Sequence, residues 1–420
     1  MKNILIGLNF FAYIVGLDGI ADGQDYKGKR WVEPVNFSYQ EFKKVSFEED
    51  TFNLKAEFYS ATFNSDPKFT SASFNSTCIL RYAHFVSKVD FNHTDFYSLA
   101  DFLDADFDTL SVFEKTFFHS FADFSSANFR YLADFNQAEF HSKVDFVGTQ
   151  FGSSADFSYA IFDSIAFFKS VILPDTLFLS NVSIKNELDL TSAKLNSTKH
   201  RKCKIDLLDT DINKVKFNYD LFELYFQETE EHRAATYEQK ISIYEKLRKR
   251  FDELGFKESY KNLDIEYQDF INTNAKDKSK EAELGFKLRK YLLNPWEKYW
   301  WNYGYNKEWV IFWSVFLLII FTLINVPFVT YLNKNVYQIN TKAFYDISTC
   351  KNYRKNFNVQ RISKILFNSL VYTAILFFGI KLVIENFKNP KPGGIFYLIL
   401  IYVIGLFCLG YLLNIIITKV

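Results

Sequence analysis

The sequence predicts a two-part fold: a β-solenoid with a phenylalanine core, followed by an α-helical region that crosses a membrane twice. Three observations predict it. Phe occurs 49 times in 420 residues, far above ordinary usage. Those Phe residues fall on a regular step through the first half of the chain. Toward the C-terminus come long apolar runs almost free of charge, which the step does not explain.

From Phe47, alternate steps of five and six residues land on Phe52, Phe58, Phe63, Phe69, Phe74, Leu80, Phe85, Phe91, Phe96, Phe102 and Phe107. The same steps run from Phe113 to Phe168 and end at Leu173, Leu179, Ile184, Leu190 and Leu195. All 28 positions are apolar and 22 are Phe. Two residues earlier the chain prefers a small side chain, as at Ala56, Ala72, Ala100, Ala122, Ala138 and Ala155. A period near five fits neither a helix nor a plain strand. It fits a coil that turns a corner at every unit, with the large residue inward and the polar ones in water. Each coil buries its core only by stacking on the next.

Units such as Ala122-Asp123-Phe124 and Ala127-Asn128-Phe129 resemble the repeat of the pentapeptide-repeat family, Ala-(Asp/Asn)-(Leu/Phe)-x-x. The resemblance covers residues 47–195 and implies a right-handed quadrilateral β-helix with four units per coil. Alternating five and six departs from the family's plain period and gives 22 residues per coil, with the extra residues on two opposite corners. The expected columns are Phe102–Phe124–Phe146, Phe107–Phe129–Phe151, Phe113–Phe135–Phe157 and Phe118–Phe140–Phe162. Roughly seven coils at about 4.8 Å each make a rod of about 30–35 Å. The solenoid domain is set at residues 37–208. Cys78 stands at a small-residue position and reads as core filler. Asp101, Asp123, Asp134, Asp145 and Asp156 read as solvated coil-face residues rather than catalytic or metal ligands.

Charge is balanced overall, with 49 basic and 49 acidic residues, but unevenly placed. Residues 31–200 carry 23 acidic and 13 basic side chains, whereas 309–420 carry two and 11. A mildly acidic body on a basic, apolar end suits a membrane surface better than nucleic acid. The four cysteines are far apart, and the six His residues form no metal or catalytic spacing. No enzyme and no cofactor is expected. At the N-terminus, the apolar run Ile4–Leu17 and then Ala21-Asp22-Gly23 have the order of a secretory signal over residues 1–23. A buried N-terminal cap is the alternative.

Beyond about Phe217 the period becomes helical. Tyr237, Ile241, Tyr244, Leu247, Phe251 and Leu254 make one stripe, Gly255 caps it, and Phe256 to Phe270 carry a second. The pair resembles a single tetratricopeptide unit, yet one unit is too few for that fold. Residues 217–295 form the expected connector. Trp296, Tyr299, Trp300, Trp301, Tyr303, Tyr305 and Trp309 form an aromatic belt of the kind found at bilayer interfaces.

The membrane domain is set at residues 296–420, with spans at 309–331 and 395–418 and a shorter re-entrant segment at 365–381. Asn325 and Pro327 mark a kink at the far end of the first span. Ser369-Leu370-Val371-Tyr372-Thr373, then Phe377-Phe378-Gly379, then Asn389-Pro390 and a Gly-containing span resemble the two-helix pore domain of potassium-type channels. The filter is degenerate: one Gly stands where the family has two, and Lys381 follows closely. The resemblance implies Thr373, Phe378, Gly379 and Lys381 at a constriction, with Asn414 as a further intramembrane polar residue.

A secretory start puts the solenoid outside the cytosol and the basic loop 333–364 inside, as the positive-inside rule prefers. That inverted arrangement is like that of ionotropic glutamate receptors. The leading expectation is a multi-pass cell-membrane protein whose external solenoid couples to an ion-channel-like pore. Two-helix subunits enclose a path only as a homo-oligomer, here a tetramer. The alternative is a solenoid scaffold for protein partners, anchored in the lipid bilayer and non-conducting. Mimicry of DNA by an acidic rod, found in some pentapeptide-repeat proteins, is disfavoured by the small acid excess and the external location.

Overall fold

The computed structural model describes residues 24–196, 201–226, 235–274, 285, 287–328, 359–379 and 392–417. The expected signal segment, residues 333–358 of the expected loop 333–364, and Lys381 lie outside the described residues, while 359–364 belong to a helix. The chain divides into one unit ending at Tyr267 and another beginning at Gln268.

The first unit is a parallel β-solenoid of about nine turns. Four sheets of seven, six, seven and eight short strands run along it. Partners sit one 22-residue coil apart: Cys78 pairs with Ala100, Ala100 with Ala122 and Ala122 with Val144. The four expected columns form. Phe102, Phe124 and Phe146 stack at 4.7 and 5.2 Å, Phe107, Phe129 and Phe151 at 4.5 and 5.3 Å. The other two columns stack at 4.8–5.1 Å with rings within 7° of parallel. Neighbouring columns meet edge to face, as Phe102 does with Phe113 at 85°. Both geometries favour the aromatic quadrupole.

Two kinds of side explain the alternating step. Five-residue sides close with a hydrogen-bonded turn, in which the amides of Ala105, Ala127 and Ala138 donate to the carbonyls of Phe102, Phe124 and Phe135 at 3.0 Å. The third turn residue is left-handed: Asp104, Lys115, Ser126, Gln137, Gly148 and Tyr159 have φ of 52–70°. This is the type II pattern. Six-residue sides instead place Phe within the strand, as in Asp106–Phe107 and Asn128–Phe129, and then bend. Thr94, Thr116 and Thr149 replace Ala at the small position. Their hydroxyls donate to the carbonyls of Phe69, Phe91 and Phe124 at 2.7–2.8 Å, so these three buried hydroxyls are paired.

The ladders extend past the Phe47–Leu195 run at both ends. Upstream, Tyr26 stacks on Phe47 and Trp31 on Phe52, while Phe37 and Phe42 head two more columns. This coil is one residue shorter, pairing Val35 with Ala56. Its buried Asp50 accepts from the Trp31 indole (2.9 Å) and from the backbone N–H of Lys29 (2.8 Å). Burial outweighs those hydrogen bonds and pushes its carboxyl up to about 6. Downstream the coils become irregular, with Leu188 pairing with Val215 and Cys203 with Phe222. Phe217, Tyr219 and Phe222 are therefore buried in the last turn, where the sequence suggested the start of a helical connector.

Helices α1 (Tyr237–Glu253) and α2 (Lys257–Asn274) close this end. Thr236 and Gln239 form a capping box at the start of α1. Gly255, at φ +70°, ends it, with the Phe256 amide donating to the Phe251 carbonyl. The inner stripe packs on the last coil, Phe251 against Phe217 at 5.4 Å. Glu266 accepts from the hydroxyls of Tyr219 (2.6 Å) and Tyr244 (2.7 Å). Terminal coils of a solenoid need such a cap to cover their apolar face.

The second unit contains α3 (Asn294–Trp301), α4 (Lys307–Asn325), α5 (Val359–Phe377) and α6 (Pro392–Ile417). Segments Lys307–Phe328 and Gly394–Asn414 are long and apolar enough to cross a membrane; the apolar part of α5, Ile365–Phe377, is shorter. α4 ends at Asn325 and a 3-10 turn, Val326–Phe328, follows, as Pro327 requires. Asn325 meets Tyr397 early in α6, whereas Trp301 meets Tyr411 near its end, so α4 and α6 run antiparallel.

Replacing Phe124 by Ala removes a ring from the middle of a column and should cost about 3–5 kcal/mol, read by denaturant unfolding. The raised carboxyl of Asp50 makes the first coil most stable below about pH 4. That stability declines as pH rises toward 6, because the folded form must then bury a charge. Asp50→Asn should flatten this dependence, measured by amide exchange of residues 29–53 between pH 4 and 7.

Candidate functional site

Two regions collect polar groups in ways that bear on function: the faces of the solenoid and the interior of the apolar helices. On the solenoid, the five Asp residues read as coil-face residues, Asp101, Asp123, Asp134, Asp145 and Asp156, each have a backbone task. Asp123, Asp145 and Asp156 each accept, through Oδ1, the amide two residues on, at 2.7–2.9 Å. Asp101 and Asp134 do the same at 3.2 and 3.0 Å. These are Asx turns that lead the chain into the left-handed corner. Asp101 also holds Arg81 at 2.8 Å. The pattern Asp-Phe-x before a corner was the available signal for this role.

One face gathers His84, Asp106 and Asp108, whose ligand atoms lie within 4.8 Å of one another. Arg130 bridges both carboxylates at 2.9 Å, Asn128 donates to Asp106 at 2.8 Å, and His84 lies 2.9 Å from Asp108. The cluster is closed by its own cation and reads as a surface charge network. Cys78 is buried between Ala56 and Ala100, and burial holds its thiol well above the usual range, which suits a core filler.

Inside the apolar helices, Asn325 is buried and central. Its Nδ2 donates to Thr373 Oγ1 at 2.9 Å, and its Oδ1 accepts from the Tyr397 hydroxyl at 3.0 Å. Ser369 donates to the Thr322 carbonyl and Thr373 to that of Ser369, both at 2.7 Å. Three helices are thus joined by hydrogen bonds within one chain. Gly405 of α6 faces Phe377 so closely that an added Cβ would lie 1.8 Å from its carbonyl oxygen. Small residues that let helix backbones touch, with polar groups as glue, are how apolar helices associate.

The sequence-derived constriction residues fall in different places. Thr373 is fully buried in the Asn325 network. Phe378 is half-buried against the core of Tyr372, Leu376, Phe377 and Ile401. Gly379 follows α5 at φ +69°, beside Tyr402 and Leu406. Asn414 lies on an exposed face of α6, and Lys381 is outside the described residues. The bonding of Asn325, Ser369, Thr322 and Tyr397 was not visible from sequence.

A third polar group sits ahead of α4. Asp269 accepts from Asn294 and Lys298 at 2.9 Å and from Tyr303 at 3.3 Å; Tyr303 also donates to Asn294, and Asn272 joins at 3.2 Å. These donors hold the Asp269 carboxyl below its usual range despite burial, and the Tyr303 phenol is pushed up by burial. The network ties the end of α2 to α3.

Residues 124–172 match the family model described as pentapeptide repeats (9 copies). This part of the solenoid is made of pentapeptide repeats. No curated protein and no solved structure matches the chain. The matched residues include the column of Phe124, Phe146 and Phe168.

Gly405→Val should separate α5 from α6 and lower the thermal stability of the detergent-solubilised chain. Asn325→Leu removes two hydrogen bonds and leaves Thr373 and Tyr397 to find new partners. It should cost about 1–2 kcal/mol in steric-trap or denaturant unfolding of the apolar helices.

Proposed function

We propose that this protein is a membrane-held interaction module: a right-handed, four-sided solenoid anchored in the lipid bilayer by α4 and α6. The carrying observation is the direction of polarity in the apolar helices. Asn325, Ser369, Thr373 and Tyr397 bond to one another inside the chain. Phe312, Phe316, Leu323, Phe396, Val403 and Leu413 face outward. That pattern suits lipid outside and a self-sufficient bundle within. The long ladder faces suit a protein partner, since a rigid solenoid offers an extended surface of fixed spacing. No catalytic step, cofactor or nucleic acid enters this reading. A multi-pass cell-membrane location with the solenoid outside the cytosol follows from the signal-like N-terminus and the basic loop.

A second reading, a channel-like pore, draws support from Gly379. It stands beside Leu406, near the middle of the apolar stretch of α6, while α6 itself starts only at Pro392. α5 therefore ends at mid-depth, as the inward arm of a re-entrant segment would. In a tetramer, Thr373, Phe378, Gly379 and Lys381 would then form the constriction. The engagement of Thr373 with Asn325 weighs against it.

Full-length protein reconstituted in liposomes should resist alkaline extraction and pass no more ions than protein-free vesicles. Ion flux that Gly379→Asp abolishes would replace the anchor reading with the pore. Release by alkaline carbonate would overturn both.

A further inference from the structure

Between α2 and α4 lies a short stretch whose inner side is pinned and whose outer side is bare. A π-helical turn, Arg289–Leu293, leads into α3. It is closed by an i→i+5 bond, the Asn294 amide donating to the Arg289 carbonyl. On the inner side, Asn294 is buried and bound to Asp269, Asn272 and Tyr303. On the outer side, Leu288, Tyr291, Leu292, Leu293, Trp296 and Tyr299 are uncovered, with Tyr291 71% and Leu292 64% exposed. Such a concentration of bare apolar side chains marks a contact surface.

Charge and continuity identify the occupant. Lys287 and Arg289 are exposed and Lys290 partly so, within the same stretch as the apolar residues. Glu297 is the one exposed acid among residues 287–301. The platform also runs directly into the apolar helices: Trp296 stacks on Trp300 at 4.5 Å and meets Phe407 of α6 at 5.6 Å. Basic residues interleaved with Leu, Tyr and Trp, in the stretch just ahead of α4, match the boundary between headgroups and acyl chains.

We propose that residues Lys287–Tyr299 form a foot that lies in the interface plane and recognises anionic phospholipid. Leu288, Tyr291, Leu292 and Leu293 enter the acyl boundary, while Lys287, Arg289 and Lys290 meet the anionic headgroups. The foot rests on the reading that α4 and α6 span the bilayer. It adds a lipid-selective contact that a plain two-helix anchor does not need.

The test places a nitroxide on Leu292→Cys in the full-length protein, with Cys350→Ser to leave only buried native thiols among the described cysteines. Collision with oxygen and with a water-soluble nickel chelate is compared in vesicles of phosphatidylcholine alone and with phosphatidylglycerol. The foot predicts a severalfold higher oxygen-to-nickel ratio in the anionic vesicles. The combined Lys287→Gln, Arg289→Gln and Lys290→Gln variant should lose that difference. Equal ratios in the two lipids, or a label shielded from both reagents, would overturn the proposal. If the protein stays in the membrane at alkaline pH, that outcome leaves the spanning reading intact; release at alkaline pH defeats both.

Discussion

The vertical stacking of Phe on Phe, once per coil, is the constraint on which the solenoid depends. A parallel ladder fixes the rise between coils at about 4.8 Å, and flat aromatic rings fill that spacing face to face. Observed separations of 4.5–5.3 Å in the central columns are what this match produces. The stack tolerates no drift, so each coil must return to the same place after the same number of residues. Left-handed corners and bends share that task on alternate sides. The corner residues are varied, from Gln137 to Tyr159, because the turn hydrogen bond and the preceding Asp hold them.

The same logic of satisfied groups governs the apolar helices by other means. If α4 and α6 face lipid, as proposed, burial of apolar surface cannot drive their association, and contact rests on close approach and hydrogen bonding. Gly405 supplies the approach, and Asn325 supplies the bonding. The Asp269 network then fixes the aromatic α3 ahead of the first apolar helix. On the proposed membrane reading, anchor, belt and foot are successive parts of one design, in which polar groups turn inward and apolar ones outward.

The solenoid's register was legible because two signals agreed, a large residue on the step and a small one two positions before it. Its ends were not. Trp31 stands where Phe is usual and the first coil is one residue short, so the step breaks there. The last coils lose the regular spacing, with partners 27 residues apart at Leu188 and Val215 and 19 apart at Cys203 and Phe222, and Phe217 and Tyr219 then resemble the start of a helix. The apolar runs were legible by length and charge alone. The role of Thr373 was not, because its partner Asn325 is 48 residues away and Tyr397 is 72 residues beyond that Asn. A lone Thr in an apolar helix has the same sequence signature whether it lines a pore or ties helices together.

The central claim is that a complete coil is the unit of stability. Deleting residues 103–124 removes one coil and should keep every Phe column in line, giving a chain that unfolds as cooperatively as the parent. Deleting residues 103–118 removes three sides and sets corners above bends. This should give a chain with exposed core, open to protease and binding a hydrophobic dye. Equal behaviour of the two deletions would contradict the claim.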